Sequence, residues 1–321
     1  MTTSSNLSSL LLTSSTEGKD TVHKCSLGPA FIIFDVLMFI ICLLGLVGNG
    51  IVTRLLGFHI KRNAFTTYIL NLTVADFGVL LAIFPIPAYN IVIIFSGDSS
   101  LYRCSFVSSV VLKYLFPSMY CTGQLLLTAI SMDRCVSVLF PIWYRFRCPS
   151  HFSTTICVLI WVLCFLLCEV NFILYILPQA KPHISLFLFL VIALLCLPLM
   201  AVSSIILFFR ACFKSQQERQ GKLLTVILLV LVFFLIFAFP LPVIDTIMTL
   251  FNIQISSPIK MTDFILLNAC LNSSVKPLIY YLVGRHRRGQ SRESMKVILQ
   301  KVFNGVEDTV EQLELRVQTQ V

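Results

Sequence analysis

Seven apolar stretches, each at or above the roughly 20 residues that cross the hydrocarbon core of a bilayer, recur at 29–56, 65–94, 104–137, 153–177, 184–213, 221–252 and 258–283. Lipid offers backbone groups no hydrogen bonds, so each stretch must satisfy its own by forming a helix. The expected fold is an all-α membrane protein, a seven-transmembrane helix bundle spanning 29–283. The third stretch is the least apolar, interrupted by Ser105, Ser108, Ser109, Lys113 and Tyr120. A span that polar belongs inside the bundle rather than against lipid.

Composition agrees. Charged residues make up 12% of the 321 residues and hydrophobic ones 57%, with a mean hydropathy of +0.89. Soluble domains carry about 25% charged residues, and the stretches leave no room for a sizeable soluble domain. The net charge of +9 would suit a nucleic-acid binder, but its distribution does not. Most Lys and Arg fall at alternate span ends and in the tail, which orients the chain with that side in the cytoplasm. A basic cytoplasmic face suits anionic lipid and an acidic protein partner; nucleic acid is not expected.

Residues 1–28 are expected to be a polar extracellular tail, without the basic-then-apolar start of a signal peptide. Asn6-Leu7-Ser8 is a glycosylation sequon there. Two further sequons, at Asn71 and Asn272, sit inside apolar stretches and should be out of reach of the transferase. Most of the 12 cysteines read as small buried hydrophobes; Cys25 and Cys104 are expected on the oxidising side. No metal site or cofactor is expected. After the last stretch, Met295, Ile298, Leu299 and Val302 recur at helical spacing among basic residues. That predicts a short amphipathic helix over 284–303 on the cytoplasmic leaflet, followed by a disordered tail over 304–321.

Ionisable groups inside a bilayer are costly and so are functional candidates. Asp76 lies mid-span in the second stretch, Asp133-Arg134 at the cytoplasmic end of the third, and Lys276 in the seventh. Pro198, Pro240 and Pro277 each remove one helical hydrogen bond and give their spans a place to bend.

Taken in order, Gly48-Asn49, Asp76, Asp133-Arg134, Trp161 and Pro277-Leu278-Ile279-Tyr280 resemble the rhodopsin-like G-protein-coupled receptors span by span. A narrower resemblance, to the Mas-related receptors, rests on Thr128-Ala129-Ile130-Ser131 and on Arg134 through Arg145. It is also carried by Pro198-Leu199-Met200 and by Phe234 through Ala238 before Pro240. It implies a plasma-membrane receptor, not an enzyme, that senses peptides or small cationic molecules outside and activates heterotrimeric G proteins inside. On the same resemblance Arg134 would meet the G protein, and Tyr280 would line the cytoplasmic cavity. Ala238 stands where most rhodopsin-like receptors have a tryptophan. Phe116 stands where amine receptors carry an acid, which argues against a monoamine.

The chain also departs from the pattern. Ser109 replaces the usual outer cysteine of the third span, so the common outer disulfide cannot form; a bridge between Cys25 and Cys104 is expected instead. Lys276 precedes Pro277 where an asparagine is usual, and Gly123 replaces a sodium-binding serine. A lone ammonium in mid-membrane is costly, so Lys276 is expected to pair with Asp76 in place of a sodium ion.

Ligand candidates in the outer half are Lys113, Phe116, Glu169 and Asp245. Glu169 stands two positions before the family's usual acid, about 200° around the helix. Lys113 and Glu169 either contact ligand or pair with each other. Thr319-Gln320-Val321 suits a PDZ domain, which buries a C-terminal side chain and holds the carboxylate. Two other readings stand beside the signalling receptor. A ligand-binding decoy is suggested by Lys276, and a seven-helix transporter is disfavoured by the lack of an internal repeat. No HExxH, GxSxG or phosphate-binding glycine loop points to an enzyme.

Overall fold

The computed structural model describes residues 29–60, 62–96, 102–140, 144, 151–176, 194–196, 198–209, 218–233, 243–244, 247–248, 261–285, 297 and 299. For 29–30, 94–96, 102–113, 138, 171–172, 174–176, 218–225, 261–262 and 284–285 it describes the backbone alone. Asn6, Cys25, Ala238, Pro240, Asp245, Thr319, Val321 and nearly all of 284–321 therefore lie outside the described residues, as do the side chains of Cys104 and Lys113. The chain divides into two compact units, Met1–Phe34 and Asp35–Val321, and the functional candidates among the described residues all fall in the second.

Every element among the described residues is helical. The first span is Pro29–Phe58, the third Tyr102–Leu139, the fourth Phe152–Ile176 and the seventh Met261–Arg285. Leu194–Phe209 is a shorter apolar helix in the fifth, and Glu218–Phe233 belongs to the sixth. Among the described residues, three helical stretches are long and apolar enough to cross a membrane by length and composition alone: Phe31–Phe58, Ala64–Ile93 (across the turn at Phe84) and Phe152–Val170. Their outward faces carry large apolar side chains such as Leu44, Val47, Leu159 and Leu166, the last 61% exposed. So much bare apolar surface is out of place in water and suits lipid.

The third span is built the other way. At 38 residues it runs about 57 Å, and Ser118, Thr122, Gln124, Thr128, Ser131, Asp133 and Arg134 along it are all buried. It packs most heavily against the second span, then the fourth, and also touches the sixth. Enclosure suits the buried Gln124, Asp133 and Arg134, whereas the hydroxyls bond back to carbonyls of the same helix. Ser118 donates to the Tyr114 and Leu115 carbonyls at 3.0 and 2.9 Å, and Thr122 to Ser118 at 2.7 Å.

The second span, expected as one helix over 65–94, is two: Ala64–Ile83 and Pro85–Ser96. It begins with a reciprocal cap, Thr66 N–H donating to Asn63 Oδ1 at 2.8 Å and Asn63 N–H donating to Thr66 Oγ1 at 2.7 Å. This satisfies two donors that a helix start leaves free. It breaks at Phe84 because Pro85 has no N–H to donate and its ring crowds the preceding turn. Hydropathy passes over that break.

The first and seventh spans touch through glycine. A Cβ added at Gly45 would fall 2.7 Å from Leu80 Cδ1 and 2.9 Å from Ser274 Cβ, and still closer to Ser274 Oγ. Ser274 in turn donates to the Ile41 carbonyl at 3.1 Å. Gly to Ala inside a helix normally stabilises by about 1 kcal/mol. Here Gly45→Ala must push two spans apart, an overpacking cost of about 1–3 kcal/mol. A lowered thermal midpoint in detergent is the expected result; a raised one would show the contact to be slack.

Candidate functional site

Two clusters of buried polar groups lie along the inner faces of the second, third and seventh spans. The first is at mid-membrane. Pro277 cannot donate to the Ser273 carbonyl one turn earlier, and that freed acceptor is taken by Asn49, whose Nδ2 donates to it at 3.0 Å and to the Gly45 carbonyl at 2.9 Å. Gly48 makes room, since its added Cβ would come 3.2 Å from Pro277. Lys276, the residue before Pro277, turns inward, where its Nζ donates to Asp76 Oδ1 at 2.6 Å. Both residues are 2% exposed. This is the pair the sequence suggests.

A cavity of about 10 Å³ adjoins the pair, lined by Asp76, Gly123, Gln124, Asn272, Ser273 and Lys276 among others. Gly123 helps to open it, because a Cβ there would meet nothing within 4 Å. Asp76 Oδ2 and Asn272 Oδ1 are buried without a hydrogen-bond partner, although Ser273 stands near enough to act on the Asp76 charge. The volume is close to the smallest that admits one water. A cation placed on Asp76 would sit beside the ammonium, and two like charges about 4 Å apart repel by about 4 kcal/mol even at an effective dielectric of 20. The residues present do not fit a sodium ion. Among the described residues no group of three or more His, Cys, Asp or Glu could hold a metal.

The second cluster is near the C-terminal end of the third span. Arg134 is 7% exposed. Its Nη2 lies 3.2 Å from Asp133 Oδ2, an ion pair outside hydrogen-bond geometry, and its Nε has no partner. The guanidinium carbon sits 4.6 Å from the centroid of the Phe65 ring. Tyr144 donates to Asp133 Oδ1 at 2.8 Å. Tyr280 is 0% exposed and part of the apolar core that also holds Leu72 and Ile130.

In the outer half, Glu169 is exposed and accepts a hydrogen bond from Tyr114 at 2.8 Å; the side chain of Lys113, which would contact ligand or pair with Glu169, lies outside the described residues. Phe116 stacks on Tyr120 with centroids 5.5 Å apart. Asp35, given no role from sequence, is 2% exposed and takes both carboxylate contacts from Asn90 Nδ2 at 3.2 Å. The signal was present, since it too is an acid inside an apolar stretch. Asn71, half-buried, accepts from Trp161 Nε1 at 2.9 Å, which gives that internal sequon residue a packing role, and Asn272 is buried.

Residues 48–280 match the family described as 7 transmembrane receptor (rhodopsin family). The chain is 34% identical over 290 residues to Mas-related G-protein coupled receptor member F of Homo sapiens, covering 88% of this chain and 82% of that protein. It is 41% identical over 269 residues to member H of Rattus norvegicus, covering 82% and 81%. With the rat protein named Proto-oncogene Mas it shares 36% over 267 residues, covering 81% and 80%.

Proposed function

The chain belongs to the rhodopsin family of seven-transmembrane receptors and, within it, to the Mas-related group, and from that membership we propose that it passes an extracellular signal to a heterotrimeric G protein. The observation that carries this reading is the state of Arg134. It is buried at the cytoplasmic end of the most enclosed span, beside Asp133 and against Phe65. A guanidinium with an unpaired Nε is poised to take a new acceptor once the helices around it part. The C-terminal helix of a G protein, with its free carbonyls, offers such acceptors.

The signal is an extracellular peptide or small molecule. Its contacts are sought in the outer half, at Glu169, Phe116, Lys113 and Asp245, with the N-terminus outside the cell. Glycosylation at Asn6, the Cys25–Cys104 bridge, lipid contact by 284–303 and a PDZ partner for Thr319 and Val321 remain proposals resting on sequence.

A decoy that binds without signalling is the second reading. The Lys276–Asp76 pair favours it, because it ties the second span to the seventh. Guanine-nucleotide exchange by a panel of G proteins in membranes bearing the chain separates the two. Exchange above that of empty membranes, raised by a basic peptide or a small cation, is expected. Saturable binding of such a ligand with exchange at background would instead establish the decoy.

A further inference from the structure

Arg134 brings five N–H donors into a place where, among the described residues, the only ion pair is with its neighbour Asp133. With Nε unpaired, a further compensation for its burial among the described residues comes from an aromatic face. Phe65 supplies it. The Asn63–Thr66 cap fixes the first turn of the second span and so fixes where Phe65, the second residue of that helix, stands. Phe65 is 1% exposed and belongs to the core that includes Ile130, one turn before Arg134 on the third span. The ring is therefore held by packing from behind and presents a face to the guanidinium at 4.6 Å. A cation within about 6 Å of a ring centroid is attracted by the negative charge of its face, most strongly when both are away from water.

We propose that Phe65 is a positioning residue for signalling: its ring clamps Arg134 in the closed arrangement and sets how readily the arginine is released to a G protein. The proposal rests on the reading of Arg134 as the residue that meets the G protein. Asp133 cannot do this alone, because it precedes Arg134 on the same helix and moves with it, whereas Phe65 sits on a different span. Separating the second and third spans breaks the ring contact and leaves the Asp133 contact intact. The clamp is thus the part of the Arg134 environment that reports on helix movement.

The test replaces Phe65 in the full-length chain by mono-, di- and trifluorophenylalanine through nonsense suppression. Fluorine drains the ring face of negative charge with little change in size, so a packing role is left nearly untouched. Basal nucleotide exchange is expected to rise stepwise along the series, by about three- to tenfold at the trifluoro ring. The thermal midpoint of the purified chain should fall in the same order, and Phe65→Trp should restore low exchange. Measurable exchange and a midpoint that both stay flat across the series would overturn the clamp. A graded midpoint with exchange at background throughout would uphold the clamp and remove the signalling reading instead.

Discussion

Arg134→Ala is expected to bring guanine-nucleotide exchange down to the level of empty membranes while the chain still reaches the cell surface. The side chain is buried yet poorly satisfied, with one contact at 3.2 Å to Asp133 and one ring face at 4.6 Å. Its removal forfeits the ion pair and the ring contact, so a lowered thermal midpoint is expected, while the surrounding core keeps the fold. Asp133 keeps its hydrogen bond from Tyr144 at 2.8 Å and is not left wholly stranded. What the substitution deletes is the donor that an incoming helix terminus would need. A mutant that is well folded and silent fits a role in coupling; one that is well expressed and fully active would remove that role.

The second large effect is at mid-membrane. Asp76→Asn leaves an ammonium, and Lys276→Asn a carboxylate, in a site 2% exposed. Breaking one partner of a buried pair typically costs about 3–5 kcal/mol, because the survivor has lost its compensation. The double substitution removes both charges and should recover most of that loss. A double-mutant cycle on the solubilised chain reads the coupling directly. Losses that simply add would mean that the 2.6 Å contact contributes nothing of its own. The expected coupling is large because the bond is made in a low-dielectric setting, where few other donors reach Asp76.

The spans were legible because hydropathy is a continuous signal along some 20 residues, and a backbone in lipid has no alternative to helix. The enclosure of the third span followed from the polar residues that interrupt it, although the hydroxyls of Ser118 and Thr122 are satisfied by the helix's own carbonyls. The Lys276–Asp76 pair was legible for the same reason: a buried ammonium needs a carboxylate, and the family resemblance put one on a facing helix. Other features depend on which way a helix is turned about its axis, and sequence spacing fixes that poorly. Tyr114 donates to Glu169, a partner that the charges in the sequence do not point to. Asn90 meeting Asp35 and Asn71 meeting Trp161 are contacts between residues far apart in the chain, and no local pattern announces them. The break at Phe84 was written in Pro85, but a window averaging hydropathy does not register it.

Lys276 acting as the receptor's own built-in cation is the point on which the chemistry of the core turns, and one measurement bears on it without any ligand or G protein. The purified chain is unfolded thermally in detergent while sodium is exchanged for choline at constant ionic strength, beside the Lys276→Asn variant. The natural chain should unfold at the same midpoint in either salt, because the ammonium already occupies the carboxylate. The variant should gain stability from sodium, because Asp76 is then free to bind it. A sodium-dependent rise in the midpoint of the natural chain would contradict the pairing.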